Sequence, residues 1–213
     1  MAISILPDII ITDIMMPEMD GVEMCQVIRK NKKTSHIPIL MLTAKTDEYS
    51  QNIGLNAGAW DHISKPFDTI ALLQKISNII VTRHAYRKQL LEQNITLEAK
   101  VHYTPYDQEF ISKAIKVVEN NIDNSEFNPD SFALAVGLSR MQLHRKLKAL
   151  SGQSTTSFVN SIKVKFASRM FDQGCDRIQE AMDAVGVNSH AHFNSMFKKV
   201  KGMTVAEYIS SKK

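Results

Sequence analysis

One carboxylate in this chain is placed as a reactive group would be. Asp13 follows a short run of β-branched apolar residues, Ile9 to Ile11, and a turn containing Pro17 and Gly21 comes directly after it. Continuous apolar runs of this kind are typical of buried parallel strands, and open α/β sheets hold their chemistry at the carboxyl ends of such strands. The sequence therefore predicts that Asp13 lies at the end of a parallel strand, in the position of a reactive carboxylate.

Two later segments extend this pattern. Residues 37–44 are interpreted as a second strand that ends near Thr43, and residues 63–67, Ile-Ser-Lys-Pro-Phe, as a third. With the segment around Asp13 they resemble the strands of response-regulator receiver domains. The resemblance implies that Asp13 is the phosphoacceptor and that Thr43 and Lys65 bind phosphoryl oxygens. A carboxylate nucleophile, a hydroxyl and an ammonium suit phosphoryl transfer to the carboxylate.

The same resemblance implies a magnesium ion and a switch. Receivers hold Mg²⁺ with an acidic pair from a strand upstream of the aspartate, and residues 1–7 are too few to supply one. A single carboxylate is a poor ligand set for a cation that requires octahedral oxygen coordination. We therefore expect Mg²⁺ in the intact receiver, but an incomplete metal site at Asp13 and poor or no phosphorylation in this chain. The implied switch residues are Thr43 and His62, and a plain surface histidine is an equal interpretation of His62.

An internal repeat in the C-terminal region predicts two helix-turn-helix motifs. The repeated pattern is a turn glycine, a serine, two apolar residues one helical turn apart and a final glycine. It occupies Gly137, Ser139, Leu143, Leu147 and Gly152, and it returns at Gly186, Ser189, Phe193, Phe197 and Gly202. Serine favours helix N-caps and glycine favours helix C-caps, so each copy is interpreted as a helix, a turn and an amphipathic second helix.

The polar face of each second helix is a candidate for the DNA major groove, because Arg, Gln and Asn have the bidentate geometry that distinguishes base edges. The candidate DNA-binding residues are Arg140, Met141, Gln142, His144, Arg145 and Lys148, followed by His190, His192, Asn194, Ser195 and Lys198. Residues 108–213 resemble the AraC-type DNA-binding domain, with a spacer helix over residues 156–171. This resemblance implies base-reading positions at Met141, His144, Arg145, His190, His192 and Ser195.

Charge and composition agree with a nucleic-acid partner. Residues 1–100 contain 11 basic and 11 acidic side chains, whereas residues 138–201 contain 11 basic and 4 acidic ones. A basic region behind a neutral one is expected of a nucleic-acid-binding module, although charge alone fits a generic solvated surface equally well. No apolar stretch is long enough to cross a membrane, and the two cysteines lack disulfide or zinc spacing. No Ser/His/Asp set, P-loop or metal cluster predicts an enzyme, although a longer parent protein could carry histidine kinase activity.

These observations predict three parts. Residues 1–82 form a truncated α/β receiver with a parallel, flavodoxin-like sheet, residues 83–107 a helical connector and linker, and residues 108–213 an all-α domain with two helix-turn-helix motifs. Within the receiver, Asp68 is expected to cap a helix in which Ile70, Leu73, Ile76 and Ile80 recur at helical spacing. The start inside a receiver predicts that the chain is a fragment.

The combination resembles the C-terminal part of a hybrid two-component sensor. We expect a sequence-specific DNA-binding transcription regulator of a two-component phosphorelay, located in the cytoplasm, with a parent that could be anchored in the inner membrane. The implied partners are double-stranded DNA and a histidine kinase domain in cis or in trans. RNA polymerase and a second copy of the chain are further candidates, and this segment is not expected to contact a membrane. The alternative is a phosphotransfer module whose helical domain binds a protein partner.

Overall fold

The structure is a computed structural model that describes residues 2–44, 54–92 and 105–212. It forms two compact units. The first unit comprises residues up to 110 together with 149–152, and the second comprises residues 111–148 and 153–213. No helix within the described ranges is both long enough and apolar enough to cross a membrane.

The first unit is built on a parallel sheet of three strands, β1 (Ile10–Asp13), β2 (Ile39–Ala44) and β3 (Asp61–Lys65), in the order β1-β2-β3. Strand β2 lies between the other two, and its residues Ile39, Leu40 and Met41 are fully buried. A short helix, α1 (Ala2–Ile5), precedes β1, and α2 (Gly21–Lys30) packs Cys25 and Ile28 against β2. The predicted parallel α/β sheet is confirmed.

A buried guanidinium ties α2 to the segments on either side of β2. Arg29 donates from Nη1 to the carbonyl oxygens of Ser35, at 2.8 Å, and Ile37, at 2.6 Å. Its Nε donates to the carbonyl oxygen of Gly58 at 2.7 Å. Gly58 has a φ of +96°, and a Cβ at this position would lie 3.0 Å from Cγ of Arg29. Burial lowers the pKa of Arg29, but three carbonyl acceptors satisfy its charge.

Helix α3 (Thr69–Glu92) follows β3, and its start is the predicted one. The backbone N–H of Ala71 donates to Oδ1 of Asp68 at 2.6 Å, which confirms the cap. The predicted apolar stripe, however, is not the buried face, because Ile70, Leu73 and Ile80 are exposed while Ile79 is 2% exposed. The helix carries apolar residues on several sides, so the spacing identified the helix but not the face that packs. Part of the predicted linker, residues 93–104, lies outside the described residues.

The remaining elements in the described part of the chain are helices. The helices are α4 (Pro105–Glu119), α5 (Pro129–Val136), α6 (Arg140–Ser151), α7 (Thr155–Asp172), α8 (Ile178–Ala184), α9 (His190–Lys201) and α10 (Val205–Ser210). Helices α5 and α6 form the first predicted helix-turn-helix motif, and α8 and α9 form the second. Helix α7 is the predicted spacer between them.

The two motifs share a turn chemistry that the sequence predicted. Gly137 and Gly186 are left-handed, with φ values of 76° and 60°. The residue after each glycine donates its N–H five residues back, Leu138 to Ala133 at 2.9 Å and Val187 to Met182 at 3.0 Å. This pattern satisfies carbonyl groups at the end of the first helix and reverses the chain into the second.

Serine and glycine caps bound each second helix. The side chain of Ser139 accepts the N–H of Gln142, and that of Ser189 accepts the N–H of His192, both at 3.3 Å. Gly202 ends α9 in a left-handed conformation. The predicted caps are therefore confirmed.

Helix α7 packs aromatic residues against both motifs. Toward the first motif, Phe158 stacks on Phe132 with ring centroids 6.3 Å apart. Toward the second, Phe171 meets Phe197 edge-on at 6.1 Å. Tyr208 closes this second core against Phe197 at 5.3 Å. The spacer is thus the central element of the helical domain.

The two turn glycines give a matched stability test. A Cβ at Gly186 would lie 2.2 Å from the carbonyl oxygen of Asp123, whereas a Cβ at Gly137 would meet no atom within 4 Å. We expect Gly137→Ala to cost about 1–2 kcal/mol, the penalty of a left-handed alanine. Gly186→Ala should cost a further ~1–3 kcal/mol for the steric overlap. Urea unfolding of the full chain measures both, and equal losses would show that the segment at Asp123 yields without cost.

Candidate functional site

The sheet brings Asp13 and Lys65 together at its carboxyl end. Each is the last residue of its strand, and Nζ of Lys65 forms an ion pair with Oδ2 of Asp13. The hydrogen bond from Lys65 is the main cause that lowers the pKa of Asp13, with further help from the N–H of Met15 on Oδ1 at 3.3 Å. Both side chains are partly exposed. The site therefore offers an ionised carboxylate to solvent beside an ammonium that suits phosphoryl oxygens.

Thr43 lies on β2 between these two residues, but its side chain is almost fully buried at 1% exposure. The strand register pairs Thr43 with Ser64 and places Ala44 opposite Lys65. The Thr43 hydroxyl lies 3.5 Å from both the Ile63 carbonyl oxygen and Oγ of Ser64. In this structure the hydroxyl contacts β3, and its role as a phosphoryl ligand or switch stays a prediction.

His62 lies within β3, three residues before Lys65, and pairs with Met41 of β2. Its side chain is half-buried, and among the described residues Nδ1 has no hydrogen-bond partner. The position is thus more enclosed than that of a plain surface histidine. The role of the imidazole as a switch stays a prediction.

Receiver domains generally bind Mg²⁺ for phosphorylation, and the described residues fit such an ion poorly. No group of three or more His, Cys, Asp or Glu side chains within those residues could hold a metal. At Asp13 one carboxylate oxygen pairs with Lys65 and the other accepts a backbone N–H. Octahedral coordination requires more oxygen ligands than this arrangement provides.

The candidate DNA-binding residues lie on α6 and α9, opposite the buried faces of these helices. Leu143, Leu147, Phe193 and Phe197 are each fully buried. Nine of the eleven candidates are exposed, namely Arg140, Met141, His144, Arg145, Lys148, His190, His192, Ser195 and Lys198. Gln142 and Asn194 are half-buried. The two helices thus present polar faces of the composition that contacts DNA.

Three polar side chains on α6 have contacts or burial that their residue types alone do not predict. Oε1 of Gln142 accepts the N–H of Ser139 at 3.1 Å, so Gln142 completes a capping box. The Ser-x-x-Gln spacing is a signal that could have identified this role in the sequence. Arg140 lies 3.2 Å from Asp130, but both are exposed, and such pairs contribute little stability, so Arg140 can turn toward DNA. Lys146 is 1% exposed and cannot belong to the interface without a rearrangement.

Removal of the Lys65 ammonium tests the electrostatics of the aspartate site. We expect Lys65→Met to raise the pKa of Asp13 toward the ordinary carboxyl value of about 3.9. The lowered pKa also means that the pair stabilises the fold above that ordinary value and loses its contribution as the pH falls through the folded value. Carboxyl-carbon NMR titration, with Asp13 assigned by Asp13→Asn, measures the change.

Lys75→Met is the matched control, since Lys75 lies 2.8 Å from both carboxylate oxygens of Asp61. It should leave the titration of Asp13 unchanged. An Asp13 pKa that is the same in the Lys65→Met variant as in the native chain would contradict the assignment.

In comparison with known proteins, two regions of the chain each match a family model. Residues 4–77 match the model of the response regulator receiver domain, and residues 132–211 match that of a helix-turn-helix domain. The chain is 32% identical over 203 residues to Histidine kinase P4 of Formosa agariphila. The matched region covers 95% of this chain and 15% of that protein. It is 43% identical over 88 residues to the uncharacterized transcriptional regulatory protein YclJ of Bacillus subtilis. This matched region covers 41% of this chain and 37% of that protein.

Among solved structures, a transcriptional regulator with an AraC-type DNA-binding domain from Chromobacterium violaceum is 25% identical, with a TM-score of 0.46. That match covers 51% of this chain and 96% of the solved one. The chain spans well under half the length of both relatives named above. Residues 4–77 are thus similar to response regulator receiver domains, and residues 132–211 are similar to helix-turn-helix domains.

Proposed function

We propose that this chain is a sequence-specific DNA-binding transcription regulator of a two-component phosphorelay. The observation that carries the proposal is the pair of capped helices, α6 and α9, each with one fully buried apolar face and one exposed polar face. Two such helices suit the reading of two neighbouring DNA segments. The match of residues 132–211 to a helix-turn-helix family supports DNA over a protein as the partner of this domain.

In this proposal α6 and α9 enter successive major grooves, about 34 Å apart along the duplex. The spacer α7 has 18 residues and is therefore about 27 Å long, which is commensurate with that separation. Residues in the first two turns of the two helices, such as Arg145 and His192, read base edges. Lys148 and Lys198, nearer the helix ends, contact phosphates and position the domain.

The loss of Arg145 tests base reading. On a target selected from random-sequence DNA, we expect Arg145→Ala to weaken binding by about 1–3 kcal/mol and to relax the preference at one position. Arg177→Ala is the matched control because it removes the same charge from a side chain that is 82% exposed, one residue before α8. Mobility shifts at several salt concentrations measure both variants. Binding that is indifferent to salt and to sequence would contradict the proposal, because phosphate contacts release counterions.

Asp13 is the phosphoacceptor in this proposal, and a histidine kinase domain, in the same chain or in another, is the phosphodonor. The support is the position of Asp13 at the carboxyl end of the sheet, where Lys65 contacts it and Thr43 lies nearby on β2. RNA polymerase and a second copy of the chain are the further partners that a transcription regulator of this kind would engage.

Phosphorylation of the isolated chain should be slow and incomplete, because the described residues around Asp13 bring too few ligands for Mg²⁺. Incubation with a small acyl-phosphate donor and Mg²⁺, followed by intact-mass measurement, tests this expectation. Asp13→Asn should abolish the residual phosphorylation, whereas Asp61→Asn should leave it unchanged, since Asp61 pairs with Lys75. A stoichiometric acyl-phosphate at Asp13 would show that the expectation is wrong.

A further inference from the structure

The helical unit contains a cavity of about 360 Å³ where the starts of three helices converge. Its lining includes Asn128 and Pro129 at the start of α5, Thr155 and Thr156 at the start of α7, and Ser189 at the start of α9. The amino-terminal end of a helix carries a partial positive charge of about half a unit. Three such ends around one cavity create a positive potential that favours an anion.

A buried hydroxyl in this cavity lacks a partner. Thr155 is 5% exposed, and its Oγ1 has no hydrogen bond to any other residue in the described part of the chain. An unsatisfied buried hydroxyl destabilises a protein by about 1–3 kcal/mol, so most are paired. Thr155 lines the cavity, so a rotation of its side chain would present this hydroxyl to a ligand oxygen there.

A buried ammonium shares the cavity with this hydroxyl. Lys163 is 7% exposed and lies on the same face of α7 as Thr155, two helical turns further on with Val159 between them. Both residues line the same cavity, so a ligand held there would lie next to both. Burial lowers the pKa of Lys163, although the charge of Asp123 partly offsets this effect.

The remaining lining of the cavity is free of acidic side chains. Neutral donors such as Asn160 and Asn188 and the hydroxyl of Ser125 add to the groups that can bind oxygen. The lining residues belong to three separate helix starts and the turn before α9, and a tetrahedral anion can accept hydrogen bonds from more sides than a planar carboxylate. We propose that this cavity is a binding site for a phosphate group, held by Thr155, Lys163 and the converging helix ends.

Two sources could supply the phosphate group. The volume lies within the range of about 300–1,000 Å³ that small-molecule sites occupy, so an organic phosphate fits. The cavity is also adjacent to the start of α9, where a DNA backbone phosphate would approach in the proposed function. The site itself does not require DNA, and the two sources are distinguished by experiment.

The first arm measures inorganic phosphate binding to the full chain without DNA, by amide NMR shifts at constant ionic strength against chloride. We expect Thr155→Val and Lys163→Met each to weaken phosphate binding at least tenfold, while Thr155→Val leaves the melting temperature unchanged or higher. The matched controls on α7 are Ser168→Ala and Lys165→Met, whose side chains lie outside the cavity. The Ser168 hydroxyl already donates to the Val164 carbonyl oxygen, so its loss should lower stability but not phosphate binding.

The second arm measures DNA affinity of the same variants as a function of salt. If free phosphate does not bind, but Thr155→Val weakens DNA binding and Lys163→Met reduces the salt slope by about one, the site takes a backbone phosphate. Phosphate binding that both cavity variants retain, or variants that change neither phosphate nor DNA binding, would overturn the proposal. The first arm is independent of the proposed DNA-binding function, so failure of one is distinguishable from failure of the other.

Discussion

The packing of α7 between the two helix-turn-helix motifs is the constraint on which the helical domain depends. Near its start α7 stacks Phe158 on Phe132, and near its end it presents Phe171 to Phe197. Because protein cores are close-packed, these contacts leave little freedom for the two motifs to rotate about the spacer. The separation between α6 and α9 is therefore a property of one helix and its aromatic contacts. In the proposed function, a DNA target with two half-sites at a fixed spacing would match this arrangement.

The first unit depends on a different constraint, the parallel alignment of strands whose ends carry the candidate chemistry. Asp13 and Lys65 meet because β1 and β3 both pair with β2 in register. The position of β2 is fixed in turn by the burial of Met41 and by Arg29, which holds the carbonyl groups of Ser35 and Ile37 just before the strand. The geometry of the aspartate site thus depends on side chains far from the carboxyl end of the sheet.

The sequence predicted those features that short segments determine. A β-branched run specifies a strand, so the end of β1 was found, and the end of β3 followed from the resemblance to receiver domains. Ser-Gly spacing specifies caps, so both helix-turn-helix motifs were found. The sequence did not predict features that depend on packing partners. On α3, for example, the sheet that packs there determines whether the face with Ile79 or the face with Ile70 is buried. The partners of Arg29 and the cavity beside Thr155 depend on segments far apart in the chain. No local pattern contains that information.

The phosphate cavity differs from its surroundings in how its polar groups are satisfied. Around it the local polar groups are satisfied, since Asn128, Ser154 and Ser189 each accept a backbone N–H from their own helix. Thr155 and Lys163 are the exceptions on α7, a hydroxyl without a partner and an ammonium with little water. Buried polar groups without compensation destabilise a fold, and proteins tend to keep such departures where function requires them. In the proposed site, a phosphate group that accepts a hydrogen bond from Thr155 and pairs with Lys163 would compensate both penalties.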